Sequence, residues 1–213
     1  MKIGIIGGVS PNACSIFYND LCKKYRDRNF SYPELLIYSI KITKEIEDQF
    51  INNNITEVAL QNVKFEINNA CIFFEKNAIE CVTICCNTLS DIFYNIARNY
   101  KFKLIITPVI AVHKRLQETP YLILGTRYTN DKLYADALHL DDYDQTLLDY
   151  YLQDNINMKN PKIDINDILN KYNCENIVLG CTDIKKQDLI TQKKIIDPSD
   201  YLLEKLISYM EEK

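Results

Sequence analysis

Basic clusters are missing from this sequence. Its 25 lysines and arginines stand against 29 acidic residues, a net charge of -4. None gather into the kind of block that marks a nucleic-acid footprint. Long apolar runs are missing too: the opening MKIGIIGG is too short for a signal peptide, and no stretch approaches a membrane span. A cytoplasmic protein with no nucleic-acid and no membrane partner is the expectation. Histidine occurs only as His113 and His139, neither beside a cysteine cluster, which argues against a zinc site. Tryptophan is absent, and the fifteen tyrosines read as compositional bias rather than as a binding surface. Glycine occurs five times, and Gly7, Gly8, Gly125 and Gly180 stand where apolar runs end, Gly4 alone falling inside one. So sparse a residue in those places signals tight turns or close backbone approach.

What is present is ordinary for a globular chain: 213 residues, 47% hydrophobic and 25% charged, enough for one domain or two small lobes. Eight cysteines, at 14, 22, 71, 81, 85, 86, 174 and 181, show no CxxC pair and no regular framework. Reduced thiols follow, most of them small core hydrophobes.

Short apolar runs alternate with longer amphipathic segments. Strands are predicted at Lys2–Ile6, Leu35–Ile40, Cys81–Cys85, Leu104–Thr107, Tyr121–Leu124, Asn176–Leu179 and Lys194–Ile196. Helices are predicted at Ala13–Arg26, Glu45–Asn52, Thr56–Asn77, Leu89–Asn99, Ala111–Glu118, Asn130–Leu138, Asp144–Asn155, Ile165–Tyr172 and after Pro198. This order defines the α/β class with parallel sheets. Ligands of such sheets bind at the carboxyl ends of the strands. The turns that carry glycine or cysteine are therefore the place to look.

Gly4-Ile5-Ile6-Gly7-Gly8 follows a strand but lacks GxGxxG spacing, and no acidic residue closes a second strand. The better reading is a tight loop that offers the amides around Val9 and Ser10 to a small anion. Ile84-Cys85-Cys86-Asn87-Thr88 and Val178-Leu179-Gly180-Cys181-Thr182-Asp183 match each other: an apolar strand, a cysteine, a threonine within two residues, then a helix. One such cysteine is ordinary packing. Two in matching contexts, one in each half, argue for chemistry. A thiol at a helix N-terminus has unpaired amides beside it, which lower its pKa from about 8.5 toward neutrality, where a general base works. Two thiols facing each other across a cleft can take a proton from one face of a carbon and return one to the other. That inverts a stereocentre with no metal or cofactor.

Gly7-Gly8-Val9-Ser10, Cys86-Asn87-Thr88, Leu124-Gly125-Thr126-Arg127-Tyr128-Thr129 and Leu179-Gly180-Cys181-Thr182-Asp183 together resemble the aspartate/glutamate racemase family. The match runs in order through nearly the whole chain, and the first and third stretches are similar to its aspartate racemase branch. The resemblance implies two similar α/β lobes, each a parallel sheet flanked by helices, with the active site in the cleft between them. Residues 1–107 plus 198–213 would form one lobe and residues 108–197 the other. It implies an amino-acid racemase interconverting L- and D-aspartate, or glutamate, without pyridoxal phosphate or any other cofactor. It also implies a homodimer. Cys86 and Cys181 are the implied acid/base pair, serving the D- and L-enantiomer respectively.

By the same resemblance Asn87, Thr88 and Thr182 hold the substrate's α-carboxylate and amine, and Val9 and Ser10 reach the same ligand from the first loop. Gln49 fits a position where some relatives hold the distal carboxylate; others place an arginine just after the second strand, where this chain has Lys44 and no arginine. Neighbouring strand side chains point to opposite faces, so only one of Cys85 and Cys86 faces the cleft, and the motif selects Cys86. Asp183 either tunes Cys181 or is an acid in the first turn of a helix. Arg127 is a carboxylate clamp or a solvated loop arginine. A related enzyme on a small diacid or hydantoin, and a non-catalytic carboxylate-binding protein, are the alternatives.

Overall fold

The computed structural model describes residues 2–29, 31–116, 120–157 and 159–212. In the first part of the chain, strand β1 (Lys2–Gly7) leads through helix α1 (Pro11–Asn29) to β2 (Glu34–Ser39). Helices α2 (Lys44–Ile51) and α3 (Glu57–Lys76) precede β3 (Cys81–Ile84), and α4 (Ser90–Ala97) leads to β4 (Leu104–Ile106). These strands form one parallel sheet in the order β2-β1-β3-β4. Its strands are short and almost wholly apolar because helices cover both faces. Phe74, Val63 and Ile67 of α3 and Phe93 of α4 fill one side with Ile6, Val82 and Ile84.

After α5 (Pro108–Leu116), the second sheet is built from β5 (Tyr121–Leu124), β6 (Asn176–Leu179) and β7 (Lys194–Ile196), again parallel and in that order. Helices α6 (Arg127–Leu133), α7 (Asp142–Ile156) and α8 (Ile165–Leu169) lie between β5 and β6. The last helix, α9 (Pro198–Glu211), follows the second sheet yet packs on the first. Leu202, Leu203, Leu206 and Ile207 share a core with Ile3, Ile5, Phe17 and Leu21. Each such fully buried aliphatic side chain contributes about 1.5–3 kcal/mol, so the return of α9 clamps the two halves together.

Two predicted helices differ from what forms. The helix expected over Asn130–Leu138 runs instead over Arg127–Leu133, because Thr126 caps it by accepting from the Thr129 amide. Leu138 has left the helix and bridges Leu122, its amide donating to the Tyr121 carbonyl. Behind Cys181 there is no α-helix: turns lead to a 3-10 turn at Lys186–Asp188, which is here counted with the loops. The predicted end of the helix over Ala111–Glu118 passes beyond the described residues.

The carboxyl ends of β1, β3, β5 and β6 converge on the seam between the sheets. In the first sheet the strand order reverses between β1 and β3, the place where open α/β sheets form a crevice. Gly8 makes the turn there with φ +95, and a Cβ on it would lie 2.3 Å from the Ile40 carbonyl oxygen. Gly8→Ala therefore forces both a left-handed backbone and a backbone clash. A loss of at least about 2 kcal/mol is expected in urea unfolding; an unchanged midpoint would show that the turn relaxes freely. Gly125 and Gly180 meet across the second sheet, where the Gly180 amide donates to the Leu124 carbonyl at 2.7 Å. A Cβ on Gly180 would lie 3.2 Å from the Gly125 Cα.

Candidate active site

Cys86 leaves the end of β3 and Cys181 the end of β6, so each sheet delivers one thiol to the seam. Both line a cleft of about 510 Å³, part of it open to solvent, together with Val9, Ser10, Asn87, Thr88, Thr182 and Asp183. Of the eight residues assigned to catalysis or substrate binding from the sequence, all but Gln49 thus border one space, and Asp183 joins them. The adjacent Cys85 points to the other face of the sheet. It packs among Cys14, Ile106 and Leu203, its thiol hydrogen-bonded to Cys14. All eight cysteines are free thiols.

Gln49 stands apart from this wall. Its side-chain oxygen accepts from the amide and the hydroxyl of Thr56, both at 2.9 Å, and so braces the start of α3. The wall holds Glu47 instead. Sequence reasoning passed over Glu47, although a signal existed: positions 47, 50 and 51 follow i, i+3, i+4 spacing, so a glutamate shares a helix face with Phe50 and Ile51. Arg127 also lies off the cleft. Its guanidinium pairs with Asp149 at 2.8 Å and Asp142 at 3.4 Å and donates to the Thr146 hydroxyl at 3.1 Å.

Side-chain hydrogen bonds tie the two halves at the thiols. Ser10 Oγ donates to Asp183 Oδ1 at 2.5 Å and accepts from the Ala13 amide at 3.1 Å, at the start of α1. Asp183 Oδ2 lies 3.9 Å from Cys181 Sγ and accepts from that thiol. Of the two readings of Asp183, the acid of a helix first turn has no helix to serve; the carboxylate bridges Ser10 and Cys181. Asn87 Nδ2 donates to the Leu179 carbonyl at 3.4 Å, while Tyr134 donates to Asn87 Oδ1 at 3.4 Å. Thr88, Thr126 and Thr129 form a buried hydroxyl cluster, Thr129 Oγ1 standing 2.8 Å from each of the other two. Thr126 and Thr129 lie in the Leu124–Thr129 stretch that carries the resemblance, but only the packing of α6 against the seam makes them partners of Thr88.

The electrostatics correct one expectation. Amides were expected to lower both thiols toward neutrality, and some do act that way: those of Leu89 and Thr88, with the Thr88 side chain, favour the Cys86 thiolate. Burial outweighs them. It pushes Cys86 up to about 11, with the Asp183 charge adding to the shift. Cys181 is held well above the usual thiol range, first by burial and then by Asp183, Cys86 and Glu47. Burial therefore favours the protonated form of both thiols. Burial, together with the Asp183 and Asp48 charges, also raises Glu47 to about 7.

No protein-family model and no curated protein matches the chain. Solved structures do. The arrangement of two parallel sheets flanked by helices is shared with solved structures of aspartate and glutamate racemases. An aspartate racemase homologue from Pyrococcus horikoshii superposes with a TM-score of 0.70 at 22% identity, over 99% of each chain. The aspartate racemase of Picrophilus torridus gives 0.70 at 17% identity, over 99% of this chain and 94% of that one. The glutamate racemase of Francisella tularensis, solved with D-glutamate, gives 0.63 at 18% identity, over 99% and 81%. Among the described residues no helix is long and apolar enough to cross a membrane.

Proposed function

We propose that this protein is an amino-acid racemase that moves the Cα hydrogen between Cys86 and Cys181. The observation that carries the proposal is the pair itself: two cysteines from opposite sheets on the wall of one cleft, with Cys181 close enough to feel the charge of Cys86. Asn87, Thr88 and Thr182 border the same space and suit a bound α-carboxylate and ammonium.

The thiolate of one cysteine removes the Cα proton: an S–H bond forms, the Cα–H bond breaks, and the electron pair stays on Cα, shared with the carboxylate. Hydrogen-bond donors around that carboxylate stabilise the developing charge. The opposite thiol then gives its proton to the other face and becomes the thiolate. One thiolate and one thiol is the working charge state, since two negative charges at close range repel. The pair titrates as a unit, so its apparent pKa values belong to neither cysteine alone. A substrate's ammonium favours the thiolate that burial disfavours.

This chemistry needs no pyridoxal phosphate and no metal from outside the chain. A cytoplasmic homodimer belongs to the same reading on the strength of the family resemblance. Aspartate, with glutamate as the alternative, has less support, because none of the described residues lining the cleft is Lys, Arg or His.

In heavy water the product enantiomer is expected to carry deuterium at Cα in one-to-one proportion with turnover, at a rate indifferent to added pyridoxal phosphate or EDTA. Proton NMR with chiral chromatography reads both quantities. Inversion without label, or activity abolished by EDTA, overturns the two-thiol route. Tight carboxylate binding with no Cα exchange would favour the non-catalytic alternative.

A further inference from the structure

The cleft is polar where the strand ends meet it and apolar where the helices do. Ile46, Phe50 and Ile51 of α2, Val63 of α3 and Ile156 at the end of α7 face the space beside the thiols. Glu47 interrupts this apolar wall. Its carboxylate makes no hydrogen bond or ion pair with any described residue. The charges it feels are Asp183 and Asp48, both of its own sign, and Lys44, the weakest of the three in effect.

We propose that the cleft takes a monocarboxylic α-amino acid, and that Glu47 is the specificity-determining residue that excludes a second carboxylate. The inference rests on the racemase reading above and names its substrate class. The α-carboxylate has hydroxyl and amide partners in Asn87, Thr88 and Thr182, whereas the apolar wall of the helices offers a distal carboxylate no side-chain donor among the described residues. It would lose its water against Ile46, Phe50, Ile51, Val63 and Ile156, which return no hydrogen bond. Above about pH 7, where Glu47 is ionised, it would also bring a third negative group to a space that already holds Glu47 and Asp183. An aliphatic side chain meets neither obstacle, since those five residues offer it ordinary packing. A side chain ending in an N–H or O–H donor finds the free oxygens of Glu47. Gln49, the candidate for holding a distal carboxylate, spends its oxygen on Thr56, off the cleft wall.

The test uses the full chain and measures Cα deuteration and inversion of alanine, homoserine, methionine, lysine, aspartate and glutamate, each from both enantiomers. At least one monocarboxylic amino acid is expected to exceed aspartate and glutamate about tenfold in kcat/KM. Measured above about pH 7, where Glu47 is ionised, Glu47→Gln removes the repelling charge and is expected to raise the ratio of dicarboxylic to monocarboxylic turnover about tenfold. Glu47→Lys is expected to raise it further, and thermal unfolding checks that both variants fold. Aspartate or glutamate as the best substrate overturns the inference and leaves the racemase reading standing. So does a ratio unmoved by either substitution. Absence of Cα exchange with every amino acid overturns the racemase reading itself.

Discussion

Cys86→Ala and Cys181→Ala each lose racemisation by about 10²–10⁴-fold, the contribution of one acid/base group. Neither thiol can cover for the other, because each reaches one face of the carbon. The loss is in inversion rather than in all proton chemistry, which gives the experiment a second readout. By the family resemblance Cys181 serves the L-enantiomer, so Cys86→Ala still washes deuterium into L-substrate while producing no D-product. Cys181→Ala does the converse. Both side chains are small and 6% exposed, so alanine leaves little cavity and thermal unfolding is expected to move only modestly. Cys85→Ala, on the far face of the sheet against Cys14, is the matched control and keeps its turnover. Full racemisation by either single cleft variant would end the two-thiol account.

Asp183→Asn is the next most consequential change, with kcat expected to fall about tenfold to a hundredfold. Asp183 acts through Cys181 and is a positioning residue. One oxygen takes the Ser10 hydroxyl from the first lobe and the other takes the Cys181 thiol. An amide keeps the shape but loses one acceptor, so it can no longer take both the Ser10 hydroxyl and the Cys181 thiol. A second signature separates this role from simple structural support. The Asp183 charge raises both Cys86 and Cys181. Removing it makes either thiolate easier to form, and the rising limb of the kcat/KM profile is expected to move to lower pH. A fall in kcat with the limb unmoved would mean that Asp183 only braces the seam. Ser10→Ala, which leaves the carboxylate in place, is expected to lower kcat less and to shift the limb little.

Local patterns announced the strand ends. Short apolar runs ending in Gly7-Gly8, Cys86, Gly125 and Gly180-Cys181 can be read in a linear sequence, because a buried parallel strand needs continuous apolar residues and a tight turn needs glycine. All seven strands lie where the runs predicted them, within a residue or two. The helix expected behind Cys181 failed for a reason the local pattern does not contain. Asp183 bonds to Ser10, 173 positions away, and that long-range contact falls in the stretch that forms turns rather than a helix. The helix over Asn130–Leu138 failed likewise, when Leu138 found a partner in Leu122.

By itself the sequence settled the α/β class, the parallel strands and the two cysteines that end them, since each rests on neighbours within a few positions. Tertiary structure alone decided which groups share the cleft with those thiols: Glu47 rather than Gln49, and Thr126 rather than Arg127. It also reversed the sign of the thiol shift. Burial is a property of the closed seam between two sheets, and the cost of taking a charge out of water there exceeds what the nearby amides return.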